Sequence, residues 1–411
     1  MAMILFCEEC GEKYDIRPEE LLSENRPARC ENCDETITPA IIPLQKNKTS
    51  VSKVISYGCS VQLHNQKLFK VLIVDDSKVF RKILRGMLNS EKRISILAEA
   101  EDGVQALELI PKLKPDVVTL DVNMPVMDGL KTLKHLMIKH PVPTIMLSSF
   151  TKEGASLTFD TLRYGAVDFM QKPSRLQMCD LQAQQKAIIE KVIHAATAEI
   201  DRFRFLRPAV GNFSTSTRKH QALTHVCGIG VAEGGYGTLL KIIPFLSSEV
   251  SMAIVIVFYT TEDIYMDAFV NYLGRHSAVN VKRAFDGQTV ENGTCYLTSG
   301  KEYVTFEKIT NQLVMHLNPS PFYPRRGAVN MMMTSLAEKL GQAATGVVLT
   351  GKGDDGAEGI SEIVRQGGSA IVQNLRTCLY KEMPVSVLEN CSESKVVSDS
   401  KMADQINRIF K

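Results

Sequence analysis

The chain has 411 residues, 44% of them hydrophobic and 23% charged, a length and balance that suit two or three globular domains. With 48 Lys and Arg against 46 Asp and Glu the net charge is only +2, so the composition gives no ground for a nucleic-acid or membrane-surface binder. Apolar runs such as MAIVIVF at 252–258 fall far short of the roughly 20 residues that cross a bilayer, and the N-terminus lacks the basic start and apolar middle of a signal peptide. A cytoplasmic protein without membrane insertion is expected.

Residues 1–41 carry two C-x-x-C pairs, Cys7 with Cys10 and Cys30 with Cys33, separated by 19 residues. Two such knuckles complete a tetrahedral thiolate site suited to Zn²⁺, with no open position for water chemistry. So short a segment buries little core, and the metal would supply most of its folding free energy. The stretch ILFCEECGEKYDI…PARCENCDETI resembles small bacterial zinc-ribbon modules, which implies an interaction element with an unidentified partner. The other six cysteines show no metal spacing. A polar linker is expected over 42–67.

Between 68 and 178 five apolar strands, near 70–77, 95–102, 116–125, 144–149 and 166–174, alternate with helical stretches. This pattern predicts a doubly wound parallel α/β sheet with functional groups beyond the strands' C-terminal ends. Asp75 and Asp76 end the first strand, Asp121 the third and Ser148 the fourth, and Lys172 follows the fifth. Three converging carboxylates repel one another unless a hard cation such as Mg²⁺ sits among them. With the cation neutralising an incoming phosphoryl group, one carboxylate can attack phosphorus, Lys172 can pair with the phosphate and Ser148 can hydrogen-bond to it. The backbone carbonyl of Asn123 is a candidate third protein ligand. The Asp75-Asp76 pair, DVNMPVMDG at 121–129, Ser148 and Lys172-Pro173 resemble the flavodoxin-like receiver domain of two-component response regulators. That resemblance implies Asp121 as phospho-acceptor, Asp75 and Asp76 as Mg²⁺ holders, Phe169 as the aromatic switch and a histidine kinase as partner.

A connecting helix and linker are expected over 179–222, then a second α/β domain over 223–411. Its strands are read near 226–231, 252–258, 279–285, 294–299, 345–350 and 369–374, with a hairpin around 303–317. The run VCGIGVAEGGYG at 226–237 reads as a strand entering a glycine turn and a helix. Its Gly228, Gly230 and Gly234 miss the dinucleotide-binding spacing by one residue, and no Lys-Ser/Thr pair follows as a phosphate loop needs. It therefore has the form of a nucleophile turn without a nucleophile. The strand in TGVVLTGKGDDGAEG leads to Asp354 and Asp355, expected to be solvated or to cap the next helix.

A receiver followed by GVAEGG, DGQTVENGTCYLT, LTGKGDDGAEG and IVQN…MP resembles the chemotaxis protein-glutamate methylesterase (CheB) family over about 70–400. The resemblance implies a Ser–His–Asp triad that hydrolyses glutamyl methyl esters, and often deamidates glutamine, on methyl-accepting chemoreceptors. Asp355 falls on the acid, Ala232 on the nucleophile, and Tyr259 or Thr260 on the base, while Lys352 stands where the family usually has Met. A methyl group cannot attack a carbonyl, and an acid without imidazole orients nothing. The expectation is a phosphorylation-controlled protein whose effector acts by binding. The alternative is an active methylesterase or deamidase drawing on Glu233, Thr260, Thr261, His276 or His316. An adaptor that recognises partners through the zinc ribbon is the third reading.

Overall fold

The computed structural model describes residues 3–6, 13–16, 67–148, 154–172, 181–198, 223–247, 252–260, 263–310, 312–322 and 326–409. Two compact units divide the chain, Met1–Val118 with Asn123–Val142, and Thr119–Val122 with Pro143–Lys411. Near the N-terminus β1 (Met3–Phe6) and β2 (Lys13–Ile16) pair antiparallel, Met3 opposite Ile16. Cys7, Cys10, Cys30 and Cys33 lie outside the described residues, as does nearly all of 42–67.

The five strands expected between 68 and 178 are β3 (Phe69–Val74), β4 (Ile94–Ala100), β5 (Val117–Asp121), β6 (Thr144–Ser148) and β7 (Asp168–Gln171). Their order, β4-β3-β5-β6-β7, is the 2-1-3-4-5 arrangement of a flavodoxin-like sheet. Helices α1 (Lys78–Leu88), α2 (Gly103–Leu113), α3 (Gly129–Lys139) and α4 (Gly154–Arg163) alternate with the strands. The first three start where a side-chain oxygen meets an orphan N–H of the first turn: Ser77 takes Phe80 N, Asp102 takes Gln105 N and Asp128 takes Lys131 N. Val71, Leu72, Ile73 and Val74 of β3 are all fully buried, as a strand covered by helices on both faces requires. After β7 comes α5 (Leu181–Ala196).

The second sheet has seven parallel strands in the order β10-β12-β9-β8-β15-β16-β17. They span β8 (His225–Val231), β9 (Met252–Phe258), β10 (Asn280–Arg283), β12 (Thr294–Ser299), β15 (Ala344–Val348), β16 (Ser369–Gln373) and β17 (Lys395–Val397). A three-stranded antiparallel sheet joins β11 (Gln288–Thr289) to the hairpin β13 (Glu302–Ile309) and β14 (Gln312–Pro319). Strands β11 and β17 were not expected from the sequence, since two or three residues show no alternation to read. Helices α6 (Gly235–Ile242), α7 (Asp263–His276), α8 (Ala328–Leu340), α9 (Ala357–Arg365), α10 (Glu382–Asn390) and α11 (Asp399–Ile409) complete this fold. Among the described residues no helix is long and apolar enough to cross a membrane.

Strand β8 lies between β9, which follows it, and β15, which the chain reaches later on the other side, so the strand order reverses there, and the crevice at such a reversal is where open α/β sheets gather their functional groups. The glycines of the 226–237 run serve this crossing. A Cβ on Gly230 would fall on the Val329 side chain of α8, and Gly234 adopts φ +78° where the chain turns into α6. Gly230→Ala should therefore lower stability by about 1–3 kcal/mol through overpacking, read as a lower urea midpoint with an unchanged slope.

Candidate functional site

In the five-stranded sheet the carboxylates of Asp75, Asp76 and Asp121 offer oxygens that all lie within 4.8 Å of one another. Asp75 and Asp121 are buried and Asp76 is exposed, so the cluster is open on one side. An all-oxygen donor set of this charge fits a hard divalent cation. Asp75 Oδ1 accepts from Ser77 N at 2.9 Å, and Asp121 Oδ2 pairs with Lys172 Nζ at 2.7 Å. Ser148, at the end of β6, shares a hydrogen bond of 3.1 Å with the Thr158 hydroxyl. Asn123 is exposed two residues beyond Asp121. Phe169 on β7 is buried in an aromatic cluster, its ring 5.1 Å from Tyr236 and 5.5 Å from Tyr265.

The second constellation forms where β8, β9 and β15 end. Ala232 is fully buried, its N–H donating to Thr350 O at 3.0 Å. Tyr259 N donates to Val231 O at 2.9 Å, fixing the start of the loop after β9 beside the Ala232 turn. From there the Tyr259 hydroxyl donates to Asp355 Oδ2 at 2.7 Å and accepts from Gly327 N at 3.0 Å and Ala328 N at 2.9 Å. Asp355 also accepts from Val329 N at 3.0 Å and Asn330 N at 2.9 Å. Asp355 therefore caps α8, contrary to the expectation that it would cap the next helix, α9; Asp354 is exposed. The cap of α9 comes from α8 in return, because Asn330 Oδ1 accepts from Gly356 N at 2.8 Å and Gly359 N at 2.9 Å. Each helix N-terminus thus receives an acceptor from the other's neighbourhood.

Burial, then the charge and hydrogen bond of Asp355, push the Tyr259 phenol above its ordinary pKa, so it keeps its proton at neutral pH. Beside it, Arg326 Nη2 donates to Glu233 Oε1 at 2.6 Å, Arg326 Nη1 donates to Lys352 O, and Lys352 N donates to Glu233 Oε2 at 3.0 Å. The Arg326 guanidinium also lies over the Tyr259 ring, 4.9 Å from its centroid. Burial alone would raise the Glu233 carboxyl, but the hydrogen bond and charge of Arg326 with the Lys352 N–H outweigh it and hold the group below the usual carboxylate range. Glu233 is therefore an engaged anion.

The remaining candidates for rebuilding a catalytic set have other partners. His276 Nδ1 meets Tyr272 O at 2.8 Å, and His316 stands between Asp286 and Glu307 on the hairpin. Thr261 lies outside the described residues. A cavity of about 240 Å³ is bounded by Ala232, Glu233, Phe258 and Tyr259 on one side and by Phe169 and Lys191 on the other. Adjacent residues of α5 tie its walls together. Lys191 Nζ pairs with Asp168 Oδ2 at 2.7 Å and donates to Phe169 O at 2.7 Å, while Glu190 Oε2 pairs with Lys352 Nζ at 2.6 Å.

Two family models match the chain: the response regulator receiver domain over residues 71–183 and CheB methylesterase over 227–406. A protein-glutamate methylesterase/protein-glutamine glutaminase of Pyrococcus horikoshii is 35% identical over 343 residues, 82% of this chain and 92% of that protein. The chain belongs to the CheB family. It is a chemotaxis response regulator of CheB type, with a receiver domain and a methylesterase domain. A second CheB relative, protein-glutamate methylesterase/protein-glutamine glutaminase 2 of Vibrio vulnificus, is 34% identical over 79% of this chain and 93% of its own length. The solved CheB methylesterase catalytic domain of Thermotoga maritima is 26% identical, covers 45% of this chain and 98% of its own, and has a TM-score of 0.43.

Arg326, Asn330 and Glu190 escaped the sequence reading. Each meets its partner across a long separation, with Arg326 93 positions along the chain from Glu233 and Glu190 162 from Lys352, and none belongs to a local motif. Two predictions follow from the chemistry. Tyr259→Phe removes the acceptor of two N–H groups and one donor to Asp355, and should cost about 1–3 kcal/mol in urea denaturation. Arg326→Met should cost about 1–2 kcal/mol at pH 7. Because folded Glu233 titrates below its unfolded value of about 4.3, its contribution is present above that value and is lost as pH falls through the folded pKa. The deficit of Arg326→Met should accordingly shrink below about pH 4.

Proposed function

We propose that this CheB-family protein is a phosphorylation-controlled regulator whose effector domain acts by binding and does not hydrolyse glutamyl methyl esters. The observation that carries this reading is the Tyr259 hydroxyl, bound to Asp355, with Tyr259 lining the same cavity as Ala232. At that place hydrolysis by a triad needs a base that accepts a proton from a nucleophile. Tyr259 donates its proton to Asp355 and has its acceptor side filled by two N–H groups. Thus the nucleophile and the base are both missing, and the retained acid serves as a helix cap.

On this reading Asp121 accepts a phosphoryl group from a chemotaxis histidine kinase. Asp75, Asp76, Asp121 and the Asn123 carbonyl hold Mg²⁺, which neutralises charge on the transferring group. Lys172, already paired with Asp121, would follow the phosphate, with Ser148 and Phe169 registering its arrival. Methyl-accepting chemoreceptors or other cytoplasmic chemotaxis proteins are the proposed binding partners. Residues 1–41 are proposed as a Zn²⁺ ribbon on Cys7, Cys10, Cys30 and Cys33, 42–67 as a linker, 68–178 as the receiver, 179–222 as the connection and 223–411 as the effector.

The names of the relatives favour a second reading, an active methylesterase or glutaminase with substitute groups. Methanol release from methylated chemoreceptor membranes, with a small-molecule phosphodonor and Mg²⁺, separates the two. The expected result is no release by the wild type although Asp121 is phosphorylated, and none by Ala232→Ser, whose new hydroxyl would face a phenol without basicity. Release that depends on phosphorylation and disappears in Asp355→Ala would establish the second reading.

A further inference from the structure

Arg81 of α1 is buried, its side chain 5% exposed, although it carries a charge that the sequence reading left without a role. Its guanidinium meets four oxygens. Nη1 donates to the backbone carbonyls of Asp75 at 2.6 Å and Asp76 at 3.3 Å. Nη2 donates to Glu101 Oε1 at 2.6 Å, and Nε to Glu99 Oε2 at 3.1 Å. Glu99 is itself held by Arg85 from the next turn of α1.

We infer that Arg81 is a positioning residue for the cation site, setting the two peptide planes from which the Asp75 and Asp76 carboxylates project. This inference rests on the reading of those aspartates as Mg²⁺ holders. The two adjacent acidic residues follow the strand's end, where Asp75 N donates to Ala100 O at 3.1 Å. Left to themselves, they would turn the carboxylates apart to relieve their repulsion. A guanidinium presents donors in a rigid fork, which lets one side chain grip both carbonyls and two carboxylates together. Glu99 and Glu101 hold Nε and Nη2 on the side of the guanidinium away from the two carbonyls.

Charge and geometry make opposite predictions here. Removing a positive charge near three carboxylates strengthens attraction for a divalent cation, whereas releasing the loop weakens binding by loss of preorganisation. Outer-shell partners of metal ligands are generally worth 10–100-fold in affinity, so geometry prevails.

The test is Mg²⁺ titration by calorimetry on the full-length chain, comparing wild type, Arg81→Met and Arg81→Lys at one ionic strength, with circular dichroism melts to establish folding. Folded Arg81→Met should bind Mg²⁺ at least tenfold more weakly. Arg81→Lys, which keeps the charge and loses the fork, should also weaken binding severalfold. Affinity equal to or tighter than wild type in folded Arg81→Met overturns the inference and leaves the Mg²⁺ reading standing. If Arg81→Met does not fold, Arg81→Lys decides: weaker binding supports the inference and unchanged affinity overturns it. A wild-type chain that binds no Mg²⁺ overturns both.

Discussion

The hydrogen bond from the Tyr259 hydroxyl to Asp355 organises the effector half of the protein. A carboxylate buried to 1% exposure is costly unless its oxygens are satisfied. Here the phenol and two N–H groups of α8 satisfy it, and the positive end of that helix favours its charge. Because Tyr259 follows β9, Asp355 follows β15 and α8 crosses β8 at Gly230, one polar knot holds three neighbouring strand ends together. The burial of Asp355 therefore has a structural explanation in the phenol and the helix N-terminus that it accepts from.

Much of the fold was legible because parallel strands covered on both faces are continuous apolar runs. MAIVIVF at 252–258 and KVLIV at 70–74 announce themselves, and the acidic ends of the receiver strands fall where the sheet's order brings them together. Ala232, Tyr259 and Asp355 were singled out from the sequence, and of these the Tyr259 hydroxyl meets Asp355. What the sequence withheld is pairing over distance. Nothing near Tyr259 says that its hydroxyl meets a carboxylate 96 residues away, and nothing near Asn330 says that it caps a helix beginning at Ala357. Such contacts are set by the crossing of helices over the sheet, which hydrophobic period does not encode.

The two halves also treat buried charge differently. Around Asp75 and Asp76 the anions are concentrated, with Arg81 paired to Glu99 and Glu101. Around Glu233 the one carboxylate charge is paired with Arg326, which lies over the Tyr259 ring, and takes a further hydrogen bond from the Lys352 N–H. A hard cation fits among the first group, whereas the carboxylate of the second already has its partners.

Helix α5 adds a mechanical consequence. Successive helical residues point about 100° apart, since 3.6 of them complete a turn, so Glu190 and Lys191 anchor the helix on two different flanks, one to Lys352 and the other to Asp168. Turning the helix about its axis would therefore displace both ion pairs at once.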